Sequence, residues 1–164
     1  MIEVVKQKWA SAFCNGDFYL VATCSGYRRS KRDPLGKEYL LPPAVSSEEL
    51  GIALLDSLAH SRFLSLDELD DFFDLTKGRE AYELWVQSLL ARQGYKSRRA
   101  FFKKMAHCDI DFVGDTLKIT PTHHEKLEGW GREKDDGIED IHLSVHSSNA
   151  EIGEALKLAF SRCT

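Results

Sequence analysis

The first third of the chain carries short apolar runs that are typical of β-strands. Residues 18–23 are aromatic and β-branched, and the Cys24-Ser25-Gly26 sequence that follows predicts a turn. A second run, Tyr39-Leu40-Leu41, ends at Pro42-Pro43, because proline donates no hydrogen bond to a strand ladder. The basic segment 28–32 between these runs is therefore predicted to form the tip of a hairpin.

Helical spacing of apolar positions begins after residue 46. Serine followed three positions later by glutamate is a capping-box pattern, in which each residue satisfies a free backbone N–H of the other. This pattern predicts helix starts at Ser46, Ser65 and Ser148. A longer helix is predicted over 78–93, with Gly94 ending it, and another short helix around 100–105.

Strand patterns return in the last third of the chain. Residues 109–113 and 117–120 flank Gly114-Asp115 in the order of a tight hairpin, and residues 141–145 alternate between apolar and polar. The whole pattern predicts an α+β fold, a single domain over 1–164 with a partly antiparallel β-sheet packed against several α-helices.

Two of the predicted helices repeat the same five residues at the same spacing. Each repeat has a glycine inside its apolar stripe, where glycine costs ~1 kcal/mol relative to alanine. The matching positions are Ser46, Glu49, Gly51, Ala53 and Leu54 in the first, and Ser148, Glu151, Gly153, Ala155 and Leu156 in the second. A glycine at this place in both helices suggests close backbone approach and two strand–helix units on one sheet, although chance recurrence of capping boxes explains the match as well.

Composition is that of a folded, soluble protein. Of the 164 residues, 43% are hydrophobic and 29% are charged, a balance that excludes a chain disordered throughout. Apolar runs fall far short of the ~20 residues that span a bilayer, and residues 1–10 lack a signal-peptide core. We expect a cytoplasmic protein that does not bind membranes.

The charges are segregated along the chain more strongly than the net charge of −4 suggests. Between residues 46 and 76 the only cation is Arg62, and five carboxylates fall within about two helical turns: Asp67, Glu68, Asp70, Asp71 and Asp74. A second acidic cluster contains Glu133, Asp135 and Asp136. Such a face is either simply solvated or a docking surface that steers a cationic partner.

Motifs of known catalytic or cofactor chemistry are missing from the sequence. Neither GxGxxG, GxxxxGK[ST] nor GxSxG occurs, and the four cysteines and six histidines show no spacing typical of a zinc site. Without a secretory signal, the cysteines are expected to be reduced thiols. The prediction is a protein that is not an enzyme and has no catalytic residues, no metal and no cofactor.

One basic segment supports an alternative function. Residues 96–104 combine Arg98, Arg99, Lys103 and Lys104 with two phenylalanines, a mixture that RNA-binding proteins and nucleases also use. The phenylalanines are needed to bury the helix, however, and the net negative charge of the protein disfavours nucleic acid as a direct partner.

Several strings together resemble the CdiI-type immunity proteins of contact-dependent growth inhibition (CDI). They are spread from about residue 40 to residue 163, and none is a catalytic motif. The strings are Leu50-Gly51-x-Ala53-Leu54-Leu55 to Ser61-Arg62, Tyr82-x-x-Trp85-Val86, Gly94-Tyr95-Lys96-Ser97-Arg98-Arg99-Ala100-Phe101-Phe102-Lys103-Lys104-Met105, Ile119-Thr120-Pro121-x-x-His124-x-Lys126-Leu127-x-x-Trp130, and Ile152-Gly153-x-Ala155-Leu156 to Ser161-Arg162-Cys163.

The resemblance implies a cytoplasmic antitoxin that binds the C-terminal toxin domain of a cognate CdiA protein, with an expected ratio of 1:1. Toxins of these systems are often nucleases, and some are ribonuclease A-like. Because a nuclease carries a cationic cleft for phosphates, an acidic surface suits its inhibitor. From charge alone, the toxin-binding residues are predicted to be Asp67, Glu68, Asp70, Asp71 and Asp74, then Glu133, Asp135 and Asp136, with Phe72 or Trp130 as an aromatic anchor.

Overall fold

The computed structural model describes residues 6–164, and it contains the predicted strands and helices together with strands that the sequence pattern did not predict. The strands are β1 Gln7–Cys14, β2 Tyr19–Gly26, β3 Ser30–Arg32, β4 Glu38–Leu41, β5 Ala106–Val113, β6 Thr116–Pro121, β7 His123–Lys126, β8 Gly129–Gly131 and β9 Ile141–Ser144. The helices are α1 Ser47–Ala59, α2 Leu66–Phe72, α3 Leu75–Gln93, α4 Arg98–Phe102 and α5 Asn149–Arg162. Strands β1, β7 and β8 are among those that the sequence pattern did not predict.

Seven strands form one antiparallel sheet in the order β3-β2-β1-β5-β6-β9, with β4 pairing the first half of β2. Strand β1 lies near the centre and pairs with β5 from Gln7↔Val113 to Cys14↔Ala106. Strands β7 and β8 form a separate hairpin. The predicted α+β class with an antiparallel sheet is confirmed.

The sheet separates two hydrophobic cores because successive side chains of a strand point to opposite faces. Ala10 and Ala12 of β1 face the core beneath α1 and α5, where Leu54 and Leu156 are fully buried. Phe13 faces the opposite side, where α3 and α4 supply an aromatic core that includes Phe101 and Phe102.

The repeated glycines mark the place where α1 and α5 cross. A Cβ at Gly51 would lie 1.9 Å from the carbonyl oxygen of Asn149, and one at Gly153 would lie 1.8 Å from that of Ser47. The glycine of each helix therefore lies in direct contact with the first residue of the other helix. The expected close approach is confirmed, and the strands before the two helices, β4 and β9, both belong to the main sheet.

Three local expectations are wrong. Residues Cys24–Gly26 do not form a turn but continue β2, since they pair with β3. Helix α3 begins at Leu75, earlier than the predicted residue 78, because the Asp74 carboxylate accepts a hydrogen bond from the backbone N–H of Lys77. Helix α2 does begin directly after Ser65 as predicted, but the Ser65 hydroxyl donates to the Glu68 carboxylate at 2.9 Å and accepts no hydrogen bond from a backbone N–H of the helix.

Candidate functional site

Helix α2 carries most of the predicted acidic residues and lies on the outside of the molecule. Its sequence, LDELDDF, spans only seven residues, and none of them is buried. Asp67 and Glu68 lie in the first turn, where carboxylates are stabilised by the positive end of the helix dipole. The helix thus contributes little to the hydrophobic core, and its exposed face is negatively charged.

Cations from the β2–β3 hairpin hold α2 in place through aromatic rings. The guanidinium of Arg29 lies 4.5 Å from the ring centroid of Phe73, and the ammonium of Lys31 lies 4.9 Å from that of Phe72. Cation–π contacts of this kind contribute ~0.5–1 kcal/mol each at exposed sites. The expectation that Arg62 is the only cation near the acidic helix is wrong, because the sequence pattern did not reveal that this hairpin folds beside α2.

Three of the five predicted carboxylates on this segment have partners within the protein. Asp71 forms an ion pair with Lys77, whose hydrogen bond lowers the pKa of the Asp71 carboxyl. Asp74 caps α3, and Glu68 lies 4.0 Å from the guanidinium of Arg62. Asp71 and Asp74 therefore have structural roles, whereas the contact of Glu68 with Arg62 is a long one between partly exposed side chains.

Arg62 is engaged mainly by a different carboxylate, that of Asp33. Its Nε and Nη2 donate to the two oxygens of Asp33 at 2.6 and 3.0 Å, and the Asp33 side chain is 0% exposed. Burial alone would raise the pKa of Asp33, but hydrogen bonds from Arg62, Ser25 and the Leu35 N–H lower it below its usual value. Arg62 thus neutralises little of the charge on α2.

Asp67 and Asp70 are the exposed remainder of the acidic helix. Over residues 6–164 neither forms an ion pair within 4 Å, and Asp70 borders an open cleft beside Arg28 and Arg29 of the hairpin tip. The surface is therefore anionic on the helix and cationic on the adjoining hairpin, and it is less uniformly negative than the sequence suggested.

Large apolar side chains accompany these carboxylates. Leu66 at the start of α2 is 69% exposed, and Leu75 at the start of α3 is 81% exposed. Together with the neighbouring carboxylates, these leucines give the segment both apolar and charged groups at the protein surface. We define Leu66, Asp67, Asp70 and Leu75 as the α2 surface.

One member of the second acidic cluster, Asp136, fixes a loop. Arg132 Nε donates to Asp136 at 2.8 Å, and Arg132 also pairs with Asp140. The hydrogen bond from Arg132, together with the Ile138 and Glu133 N–H groups, lowers the pKa of Asp136 to about 2. Asp135 adopts a left-handed conformation with φ 65°, and Glu133 is exposed.

The structure does not bring the two acidic clusters together. Helix α2 contacts edge strand β3 through Lys31, whereas Arg132 of the second cluster donates to the carbonyl oxygen of Pro121 on β6. These strands are four positions apart in the sheet, which corresponds to about 19 Å.

The basic helix that favoured RNA binding is partly neutralised within the protein. Arg98 pairs with Glu83 and Glu128, and its Nε donates to Glu128 at 3.1 Å. These hydrogen bonds lower the pKa of Glu128 and raise that of Arg98. Arg99, by contrast, is exposed.

The two candidate aromatic anchors differ in environment. Trp130 packs against Phe13, Phe102 and His124, and its indole N–H donates to the carbonyl of Met105 at 2.7 Å. The expectation that Trp130 lies near the acidic face is wrong, because the β7–β8 hairpin directs it to the α3–α4 core. Phe72 lies beneath Lys31 and is partly exposed.

Neither a metal site nor a membrane span is found in the part of the chain that the structure describes. Within residues 6–164, no three side chains of the histidine, cysteine, aspartate and glutamate types are grouped so that they could hold a metal ion. No described helix has both the length and the apolar composition needed to cross a bilayer.

Comparison with known proteins gives matches along nearly the whole chain. The sequence profile of a family described as CdiI, CDI immunity protein, matches residues 8–163. The immunity protein CdiI-YPIII of Yersinia pseudotuberculosis serotype O:3 (strain YPIII) is 44% identical, with 99% of each chain covered.

Two solved structures share the fold. A chain in a CdiA-CT/CdiI toxin and immunity complex from Yersinia pseudotuberculosis superposes with a TM-score of 0.91 at 44% identity, covering 99% of this chain and 100% of that one. A protein of unknown function from Neisseria meningitidis, NMB0488, gives a TM-score of 0.92 at 40% identity, covering 100% of this chain and 99% of that one.

Proposed function

The chain belongs to the CdiI family of CDI immunity proteins, and from this membership we propose that it binds and neutralises the C-terminal toxin domain of a cognate CdiA protein. Inhibition is stoichiometric and involves no turnover, with one antitoxin molecule for each toxin domain in the cytoplasm. The similarity to a chain that was solved as part of a CdiA-CT/CdiI complex is the observation that carries this proposal.

We further propose that the α2 surface contacts the toxin. Helix α2 has no buried residue, yet Leu66 and Leu75 are left largely exposed on either side of the unpaired carboxylates Asp67 and Asp70. Apolar contacts that exclude water govern how long a complex lasts, whereas charge governs how fast it forms. The α2 surface offers both kinds of group within one helix and its flanks.

The toxin that fits this surface is a cationic nuclease. An enzyme that cleaves nucleic acid must hold phosphates in a positively charged cleft, and exposed carboxylates are attracted to the same cleft. This part of the proposal rests on charge complementarity, and it applies to the α2 surface more directly than to the loop that contains Asp136, whose carboxylate is already paired.

Charge reversal at two residues tests the α2 surface. We expect Asp67→Lys/Asp70→Lys to slow association with the toxin domain by ~10-fold or more, because electrostatic steering is lost. Asp71 and Asp74 are left unchanged, since one pairs with Lys77 and the other caps α3. The partner used is the C-terminal domain of the cognate CdiA protein, and association is measured by stopped-flow or surface plasmon resonance.

The matched control reverses two exposed carboxylates elsewhere. Glu139→Lys/Glu154→Lys changes net charge equally but lies outside the α2 surface, on the segment before β9 and on α5. Equal slowing by both pairs would mean that only total charge matters and would reject the α2 surface as the contact. Failure of the unaltered chain to bind or inhibit the toxin domain would reject the proposed function itself.

A further inference from the structure

Three of the four cysteines meet at one corner of the sheet, beneath α5. Cys108 is fully buried in β5, where it lies opposite Ala12 of β1, and Cys163 follows the last turn of α5. Their sulfur atoms are 3.6 Å apart. Cys14, at the end of β1, is close enough that charge on Cys163 raises the pKa of its thiol. Cys24 is elsewhere, buried in β2 and hydrogen-bonded to Ser11.

The backbone on both sides of the sulfur pair is fixed by hydrogen bonds. Strand β5 is held between β1 and β6. After α5, the N–H of Thr164 donates to the carbonyl of Thr122 at 3.2 Å, and the N–H of His124 donates to the carbonyl of Thr164 at 2.9 Å. The proximity of Cys163 to Cys108 is therefore built into the fold and does not depend on a mobile end.

The two thiols are unequal in access and in acidity. Cys163 is only partly buried, and its sulfur shares a hydrogen bond with that of Cys108 in which either thiol can donate. When the Cys108 thiol donates, this hydrogen bond lowers the pKa of Cys163 to about 7, although burial opposes the shift. The same hydrogen bond, together with burial, raises the pKa of Cys108. Because the thiolate is the nucleophile, Cys163 is the thiol that reacts with an external oxidant.

We propose that Cys163 is an oxidation site and that Cys108 resolves its oxidised form into an intramolecular disulfide. In the first step the Cys163 thiolate attacks a hydroperoxide, so that an S–O bond forms, the O–O bond breaks and the leaving oxygen takes up a proton. In the second step the Cys108 sulfur attacks the sulfenic acid of Cys163. The S–S bond forms, the S–O bond breaks, and the hydroxide leaves as water with the Cys108 proton.

Formation of the disulfide between Cys108 and Cys163 requires only a small movement of the two sulfur atoms. A disulfide has its sulfurs ~2.05 Å apart, so the pair must close by roughly 1.5 Å from the present separation. Cys163 has left the helix and adopts an extended backbone conformation, with φ −65° and ψ 142°, where a change of side-chain rotamer does not disturb α5. The bond joins the end of α5 to strand β5, and in a reducing cytoplasm it is reversible.

Oxidation of the purified full chain by hydrogen peroxide tests this inference. We expect the number of thiols titrated after denaturation to fall from four to two, and non-reducing peptide mapping to find a single bond between Cys108 and Cys163. In Cys108→Ala the second step is blocked, so the sulfenic acid on Cys163 persists and forms a one-to-one adduct with dimedone. Cys24→Ala is the matched control, since it removes a buried thiol outside the cluster and should leave the 108–163 bond unchanged.

Alternative products overturn the assignment. A bond from Cys163 to Cys14, a bond between two molecules, or a dimedone adduct on a cysteine other than Cys163 would each contradict it, and so would four free thiols after peroxide treatment. Circular dichroism of each variant before oxidation confirms that the thiols are compared in the same fold. In a Cys163→Ser variant, the thiols of Cys108 and Cys14 should both remain titratable after the same treatment.

Discussion

Gly51 and Gly153 occupy positions where a methyl group has no room. In each case the missing Cβ would fall within 2 Å of a carbonyl oxygen at the start of the other helix, an atom that belongs to the backbone and cannot turn away. Glycine in a helix costs ~1 kcal/mol relative to alanine, and at these two positions the close crossing of α1 and α5 requires it.

Substitution of alanine at Gly153 is expected to destabilise the protein despite the higher helix propensity of alanine. The clash with Ser47 forces α1 and α5 apart, and overpacking of this kind costs typically ~1–3 kcal/mol. Urea denaturation followed by circular dichroism measures the free energy of unfolding.

Gly78→Ala provides the comparison for this prediction. Gly78 also lies in a helix, but its Cβ would meet only the Nζ of Lys31, 3.1 Å away at the flexible end of a long side chain. That variant is expected to gain up to ~1 kcal/mol. Similar gains in both variants would refute the close crossing.

At the scale of elements, the short helices α2 and α4 differ in whether neighbouring residues neutralise their charged side chains. Both carry clustered charges, but Arg98 of α4 is held by Glu83 and Glu128, whereas Asp67 and Asp70 of α2 have no ion pair among the described residues. The α4 charges at this position therefore stabilise the fold, and those of α2 remain available for a partner.

Loss of Arg98 is accordingly expected to cost stability. In Arg98→Ala the half-buried Glu128 carboxylate loses its charged donor, and we expect unfolding to require ~1–2 kcal/mol less. Thermal or urea denaturation gives the value. Arg99→Ala, on the exposed side of the same helix, should change stability by less than ~0.5 kcal/mol.

The alternative of RNA binding gives a different result for the same two variants. It requires the unaltered chain to retard RNA in a gel-shift assay in a salt-sensitive manner, and it requires Arg99→Ala to weaken that retardation. No retardation, together with the unequal stability losses above, would leave α4 with a structural role alone.

The elements that the sequence predicted well are those whose signals are local. Helix α5 begins where Ser148 and Glu151 form a reciprocal capping box, and α3 ends at Gly94 with φ 70°. The cationic neighbours of α2 could not be predicted, because they depend on β2 continuing through Cys24 to Gly26 and on the β2–β3 hairpin lying beside Phe72 and Phe73.

The contact between Cys163 and Cys108 also could not be predicted from the spacing of cysteines in the sequence. The two residues are 55 positions apart, and the contact depends on where α5 ends relative to the register of β5. For the candidate site, charge clustering located α2, but the sequence did not show which carboxylates are paired. That distinction depends on tertiary contacts of Lys77, Arg62 and Arg132.

At the scale of the whole molecule, stability should depend on pH in two separate ranges. Burial lowers the pKa of His107, whose ring lies among Phe13 and Trp130, so the folded state disfavours a proton that the unfolded chain binds below about pH 6.5. Stability therefore falls as the pH drops through this value.

A second fall is expected below about pH 4. The folded-state pKa values of Asp33 and Glu128 are lowered, so these groups contribute stability above their unfolded pKa values and lose it as the pH falls through the folded ones. Asp111 acts in the opposite direction, because burial raises its pKa.

Urea midpoints measured from pH 7.5 down to pH 2.5 test this dependence. His107→Gln should flatten the curve between pH 7 and 5, and Asp33→Asn should flatten it below pH 4 while lowering the plateau. Curves with unchanged shape in both variants would show that other groups control acid unfolding.

The pairing of β1 with β5 has a consequence for how a cell is protected. Strand β1 finds its central neighbour roughly 100 residues later in the chain, and at roughly 5–20 residues per second a ribosome needs roughly 5–20 s to make that stretch. Ala10 and Ala12 gain their covering layer from α5 later still, because α5 begins only at Asn149. Newly synthesised chains are not folded at once when a toxin enters the cell. A bacterium that relies on this fold is therefore protected by the folded molecules that are already present when a neighbour makes contact.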